Sequence, residues 1–415
     1  MTRFGLAGNH LPTGWQTTSA RHLFRREKRT GFPDEQLLSV YRDYGVIRKD
    51  SRDDNFNKAS EDLASYQLVE PNDLVINKMK AWQGSVGISE HRGIVSPAYF
   101  VAKPTTNFFR RYVHYLLRCS DYLIEYQTRS SGIRVNQWDL DWDDFRDIPI
   151  ALPPLAQQTR IANFLDEQTA RIDALIAEKE RLSALLSISL ESFIESAVLP
   201  KAGVCLIPLK RVSERIITGP FGSALHSSDY IEQGVPVINP SHITGGTLCP
   251  DANVSVSAET AEAMSAYRMT PGDVIVGRRG EMGRCAVVPQ EGNGWLCGTG
   301  CLLVSPNPVK VMASYLQLVI SSRASKEWLS LESVGSTMEN LNGEIIGRLP
   351  GYFPHPREQR ERVVTVGRAM TQHEALIRHV SEHIACLREY RSSLISAAVT
   401  GQLDIENFRR EVVQT

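Results

Sequence analysis

One pattern occurs twice in this chain, and a chain that repeats itself at long period folds as related units rather than as one irregular core. Residues 66–84 read YQLVEPNDLVINKMKAWQG, and about two hundred positions later residues 267–283 read YRMTPGDVIVGRRGEMG. A second match follows each copy. The polar and apolar order of residues 154–198 returns over 356–400, aligning Leu175 with Ile377 and Leu182 with Ile384. Each unit is thus a globular part followed by a long helix, and two such units present related surfaces with different side chains. A reader of one long target at two places is the first reading.

The bulk numbers bound this reading without deciding it. With 415 residues the chain has material for two or three cored domains, and 42% hydrophobic with 22% charged residues is globular rather than disordered. A net charge of -1 gives no general attraction for nucleic acid, so a DNA binder of this balance needs clustered positive charge or partners that supply it. No run of eighteen apolar residues occurs, and the start MTRFGLAGNHLPTGW has no apolar core like that of an export signal. The expected location is cytoplasmic, with no membrane contact. The seven cysteines are scattered; Cys297 and Cys301 stand close but have no second pair to complete a zinc site.

Residues 1–149 alternate short apolar runs with Gly, Pro, Asn and Asp, which predicts strands and turns. Pro71-Asn72-Asp73 turns into the strand Leu74-Val75-Ile76, and Pro271-Gly272-Asp273 turns into Val274-Ile275-Val276. Helices are predicted over 112–126 and 315–331. The segment 148–155, IPIALPPL, is barred from helix by its prolines and reads as a stiff exit from the domain. Beyond it the period changes. Leu165, Gln168, Ile172, Leu175, Lys179, Leu182, Leu186, Ser189 and Phe193 form one seam; Val366, Met370, His373, Ile377, Val380, Ile384, Leu387, Arg391 and Leu394 form the other. A helix over 161–198 is roughly 55 Å long and its stripe needs cover, which the other copy supplies most cheaply by running antiparallel. The expected fold is α+β: two mainly β domains with small helices, separated by a long antiparallel two-helix coiled coil, as a pseudo-twofold internal repeat. The divisions fall at 1–149, 150–200, 201–348 and 349–415. The alternative packs each helix on its own domain.

These segments resemble a known family. Residues 148–186, IPIALPPLAQQTRIANFLDEQTARIDALIAEKERLSALL, look like the central conserved region of the specificity subunit of Type I restriction-modification systems. REYRSSLISAAVTGQLDI resembles the distal conserved region, and TGPFGSALHSSDY with GVPVINP resembles the opening of a target-recognition domain. The likeness spans essentially the whole chain. Departures are Gln157 where the second copy has Glu358, and FPHPREQ in place of a double proline at the second junction. The resemblance implies that 1–149 and 201–348 are target-recognition domains, each reading one half of a split site in double-stranded DNA, and that the helices fix the gap. It implies two methyltransferase subunits that bind S-adenosylmethionine and modify adenine at N6, and two restriction subunits that use ATP and Mg to translocate and cleave. This chain would hold no cofactor and do no covalent chemistry.

The turns after the repeated strands are the first candidates for DNA contact: Lys78, Lys80 and Gln83 in one copy, Arg278 and Arg279 in the other. Basic residues on short Gly-bounded turns reach phosphates, Arg can grip guanine with two bonds, and Gln can read adenine. Trp82 between them reads better as a packed support. A second pair of segments, SGIRVNQ and GSTMENL, offers Arg134, Asn136 and Gln137 in one copy and Thr337 and Asn340 in the other. The resemblance places DNA-facing residues in this neighbourhood; ordinary turn capping is the plain alternative. In the second domain Gly219, Phe221, Gly222 and Ser223, then Asn239, Ser241 and His242, add backbone donors and short polar groups.

The sequence also carries a misleading motif. His379-Val380-Ser381-Glu382-His383 has the HxxEH spacing of a zinc protease, but it interleaves with the seam positions Val380 and Ile384 and reads as helix surface. The competing functional reading is a scaffold whose repeats join two methyltransferase subunits and leave base readout to them. Unequal loops in the two copies favour an asymmetric two-part target instead.

Overall fold

A computed structural model describes residues 11–42, 44–51, 62–134, 137–200, 203–220, 225, 229–333 and 341–408. The chain divides into two compact units, 1–180 with 382–415, and 181–381. Among the described residues no helix is long and apolar enough to cross a membrane.

The first unit is built on a four-stranded antiparallel sheet. After an outlying strand β1 (Gln16–Ser19), the sheet's four strands β2 (Phe24–Arg26), β3 (Leu74–Asn77), β4 (Val86–Ile88) and β5 (Tyr99–Pro104) precede helices α1 (Arg110–Leu116) and α2 (Ser120–Arg129). The sheet order is β2-β5-β3-β4. Central β3 is buried throughout, and its residues alternate between two faces. Leu74 and Ile76 enter the core with Tyr112, Leu116, Tyr122 and Tyr126 of the helices, while Val75 packs with Val40, Val69 and Val95 on the other side. Asp73 makes the turn before β3, its carboxylate accepting from the Glu70 amide at 2.8 Å while Asn72 takes a φ of 76°.

A hairpin, β6 (Ser131–Arg134) and β7 (Gln137–Asp139), follows α2. Then β8 (Pro149–Leu152) pairs antiparallel with β1, Gln16 facing Leu152. The proline segment is therefore non-helical as expected up to Pro154, and its residues 149–152 are a paired strand of the head, within which a division at 149/150 falls. The long helix α3 (Leu155–Val198) starts three residues later.

The second unit repeats this plan with β9 (Ile207–Pro208), β10 (Ser213–Thr218), β11 (Val274–Gly277), β12 (Cys285–Val287), β13 (Cys301–Pro306), helices α4 (Ala313–Ser321) and α5 (Arg323–Ser333), β14 (Pro350–Gly351) and α6 (Pro356–Val399). Its sheet order, β10-β13-β11-β12, matches the first strand for strand, and β9 pairs with β14 as β1 does with β8. Asp273 accepts from the Thr270 amide at 2.8 Å with Gly272 at a φ of 91°. This head adds a small sheet of Ser255–Val256, Val235–Ile238 and Leu296–Cys297. In both heads the single expected helix is two. Ser322 breaks the second with ψ at 154° and its hydroxyl accepts from the Ser325 amide, competing with continued helix.

Each unit holds part of both long helices, paired antiparallel. In the first, Asp173 pairs with Arg391 and Glu180 with Arg388; in the second, Arg362 donates to the carbonyls of Ala197 and Leu199. The α6 seam is buried or half-buried at every expected position. The α3 seam is not. Leu165, Ile172, Lys179 and Leu186 face inward, but the positions between them are Thr169, Ile176, Ser183 and Leu190, whereas Leu175, Leu182 and Ser189 are exposed. The repeat match is one residue out along the helices: Ile176, not Leu175, corresponds to Ile377, and Ser183 corresponds to Ile384.

Candidate nucleic-acid interface

In the first head β3 ends in a 3-10 turn, Lys78–Gln83, closed by Gly84 at a φ of 96°. A Cβ at Gly84 would lie 2.9 Å from the Leu123 side chain in a backbone conformation L side chains avoid, so glycine is required there. The turn is braced against the β6–β7 hairpin. The Leu140 amide donates to the Lys78 carbonyl at 3.0 Å, Lys78 Nζ lies 3.6 Å from Asp139 Oδ2, and Trp82 meets Trp138 edge to face at 5.0 Å. Trp82 Nε1 also donates to the Met79 carbonyl. The tryptophan is thus a support, as its half-buried place indicates, and Lys80 and Gln83 are left exposed. Two segments singled out from sequence come together here, the 78–83 turn and the strands that carry Arg134 and Gln137 in facing register. For Arg134 and Gln137 the backbone alone is described; Asn136 lies outside the described residues.

The equivalent turn in the second head is built differently. The Leu341 amide donates to the Arg278 carbonyl at 3.1 Å, as Leu140 does to Lys78. Arg278, however, is 7% exposed. Its Nε donates to the Leu341 carbonyl at 2.7 Å and its Nη1 to the Thr299 carbonyl at 3.3 Å. Burial, with Arg279 beside it, holds its pKa below the ordinary arginine value. Arg278 is therefore an internal strut of the turn, with its Nε and Nη1 turned to main-chain carbonyls. Arg279 is exposed, on a turn with Gly280 at a φ of 78°. Glu281 is paired with Lys326 at 3.0 Å and with Arg284 at 3.4 Å, and the hydrogen bond from Lys326 holds its carboxyl below the usual range.

The turn Gly298-Thr299-Gly300 packs against two further candidates of this head, Gly219 and Asn239. The Gly219 amide donates to the Cys301 carbonyl at 2.9 Å, and a Cβ on Gly219 would come within 2.0 Å of the Gly298 carbonyl. Gly219 is thus required by close backbone packing, with its amide already used. His242 is 7% exposed and its Nδ1 accepts from the Asn239 amide at 3.3 Å, which makes it a turn cap and not a ligand-facing group. Asn239 is half-buried against Gly298, and Ser241 is exposed. Phe221, Gly222, Ser223, Thr337 and Asn340 lie outside the described residues. Sequence reading missed Thr299. Its glycine neighbours were a visible signal of a tight turn, but nothing local ties that turn to strands some twenty to eighty positions away.

The first head thus exposes Lys80 and Gln83, and the second Arg279, on turns that follow the central strands, and the second also exposes Ser241, a chemistry suited to phosphate oxygens and base edges. The sequence model described as "Type I restriction modification DNA specificity domain" matches residues 12–183 and 222–375, once for each half of the repeat. The chain belongs to this family of specificity subunits.

Among its relatives is the Type I restriction enzyme EcoKI specificity subunit of Escherichia coli K12, 21% identical over 426 residues that cover 96% of this chain and 91% of that protein. The StySPI specificity subunit of Salmonella potsdam is 25% identical over 202 residues, 45% of this chain and 43% of its own. The fold is shared with solved structures. A chain from a type I R-M system, studied for its complex assembly and conformational transition, superposes with a TM-score of 0.70 at 16% identity, covering 95% of this specificity subunit and 100% of that chain. The HsdS subunit from Thermoanaerobacter tengcongensis superposes at 0.54 with 18% identity, covering 97% and 100%.

Proposed function

We propose that this specificity subunit reads an asymmetric two-part sequence in double-stranded DNA, one half per head, without catalysing any covalent step itself. Partner subunits then carry out the chemistry: two methyltransferase subunits modify adenine at N6 with S-adenosylmethionine, and two restriction subunits cleave with ATP and Mg. One observation carries the reading. The same turn follows the same central strand in both heads, but it presents Lys80 and Gln83 over a Trp82–Trp138 support in one and Arg279 over a buried Arg278 in the other. Equal scaffolds with unequal tips suit two different half-sites.

The scaffold reading has one observation in its favour. Helix α3 keeps Leu182, Leu185 and Ile188 exposed at 41, 52 and 61% of their surface, apolar area that a protein partner would cover. The two readings separate in one experiment. The full chain is co-purified with its methyltransferase subunit and methylated sites are sequenced genome-wide, before and after the first head is exchanged for that of another family member. Two-part DNA reading requires a split motif of which one half changes. A continuous motif, or exchange without change of specificity, leaves only the scaffold.

A further inference from the structure

We propose that Gln158 and Gln359 are paired positioning residues that lock each head to its long helix, and so set the distance between the two DNA half-sites. The proposal rests on the two-part reading above. Gln158 is 4% exposed and Gln359 0%. The Gln158 side-chain oxygen accepts from the Phe109 amide at 2.8 Å, and its nitrogen donates to the Pro153 carbonyl at 2.9 Å. The Gln359 oxygen accepts from the Met312 amide at 2.9 Å, and its nitrogen donates to the carbonyls of Pro354 at 2.7 Å and Lys310 at 2.8 Å.

Phe109 and Met312 cap the N-termini of α1 and α4, where amides lack partners within their helices. Pro153 and Pro354 lie in the short segments that lead from β8 and β14 to the long helices. One planar carboxamide therefore joins three pieces in each half: the packing helix of the head, the chain leaving the head's edge strand, and the first turn of the long helix. That task needs a donor and an acceptor on one rigid group. Among side chains of this length, Met offers no donor and an ionised Glu offers only acceptors. A buried carboxamide with both ends engaged resists tilting of head against helix, because a tilt breaks bonds in a place water does not reach. The same device stands at corresponding positions in both halves, although the residue before it is Gln157 in one and Glu358 in the other.

The test uses the full chain co-expressed with its methyltransferase subunit, comparing wild type, Gln158→Met and Gln359→Met by sequencing of methylated sites, with amide exchange at Phe109 and Met312 read in parallel. In Gln158→Met the bases of both half-sites stay the same. Sites whose gap differs by one base pair from the wild-type value gain methylation roughly tenfold, the discrimination expected from loss of its two buried hydrogen bonds. Exchange accelerates at Phe109 and not at Met312, and Gln359→Met reverses that pattern. If Gln158→Met fails to fold, Gln158→Glu replaces it: its protonated acid keeps one donor and one acceptor, so gap discrimination should hold at low pH and loosen as pH rises. An unchanged gap in a folded variant overturns the proposal, as do altered bases with the gap intact or discrimination in the Glu variant that does not respond to pH. A continuous wild-type motif would overturn the two-part reading, and this proposal with it, before any variant is compared.

Discussion

Arg278 and Leu341 hold each other twice, the Leu341 amide donating to the Arg278 carbonyl at 3.1 Å and the Arg278 guanidinium donating back to the Leu341 carbonyl at 2.7 Å. Its neighbour Arg279 is exposed. Adjacent arginines in one turn thus have separable roles. Arg278→Met leaves two carbonyls short of a donor and should cost about 1–3 kcal/mol, read as a lower melting temperature. Arg279→Ser should change stability by less than about 0.5 kcal/mol yet weaken DNA binding by the assembled complex. Equal stability losses in the two variants would contradict the assignment.

Lys80 projects from the turn of the first head without the bracing that Lys78 receives from Asp139. Lys80→Ala should therefore reduce affinity for all sequences alike and lower the slope of log affinity against log salt by about one unit. A salt titration of the methyltransferase complex on its target duplex reads the slope. No change in it would remove Lys80 from the interface.

His114 gives the first unit a pH dependence. Burial, then the charges of Arg118 and Arg110, lower its pKa to about 3. A histidine neutral in the folded state and near 6.5 when unfolded binds more protons on unfolding. Its contribution to stability is present above about pH 6.5 and is lost as the pH falls toward about 3. In His114→Asn the melting temperature should fall less steeply between pH 6.5 and 4 than in wild type, whatever its absolute value. Parallel acid limbs would refute this.

The helix register is tested by neighbouring substitutions. Ile176 is half-buried in the seam and Leu175 is 44% exposed. Ile176→Asn should cost about 1–2 kcal/mol and Leu175→Asn nearly nothing, measured by urea denaturation. The opposite order would restore the register read from the sequence.

That register shows where sequence reading stops. The α6 seam was legible because its apolar residues form one clear stripe at the expected positions. In α3, DALIAEKERLSALL offers two adjacent leucine-rich stripes, and periodicity cannot choose between neighbours; the placement of α6 chooses. Gln158 and Gln359 were visible as residues of a junction, but their burial follows from helices α1 and α4, which close over them from about fifty positions upstream. The same holds for Arg278, which resembles any surface arginine until Leu341 and Thr299 are in place.

Local chemistry determined the repeated turns: Pro-Asn-Asp and Pro-Gly-Asp each provide a positive-φ position and a carboxylate that bonds the main chain three residues back, so turn and central strand follow from a few adjacent residues. The duplication, the two mainly β heads and the long helices were likewise determined by the sequence alone, through spacing and period. Only the tertiary structure decided which of the repeated polar groups face solvent and which serve as struts. That outcome depends on carbonyls and amides from distant segments, because a buried donor must find an acceptor wherever the fold brings one.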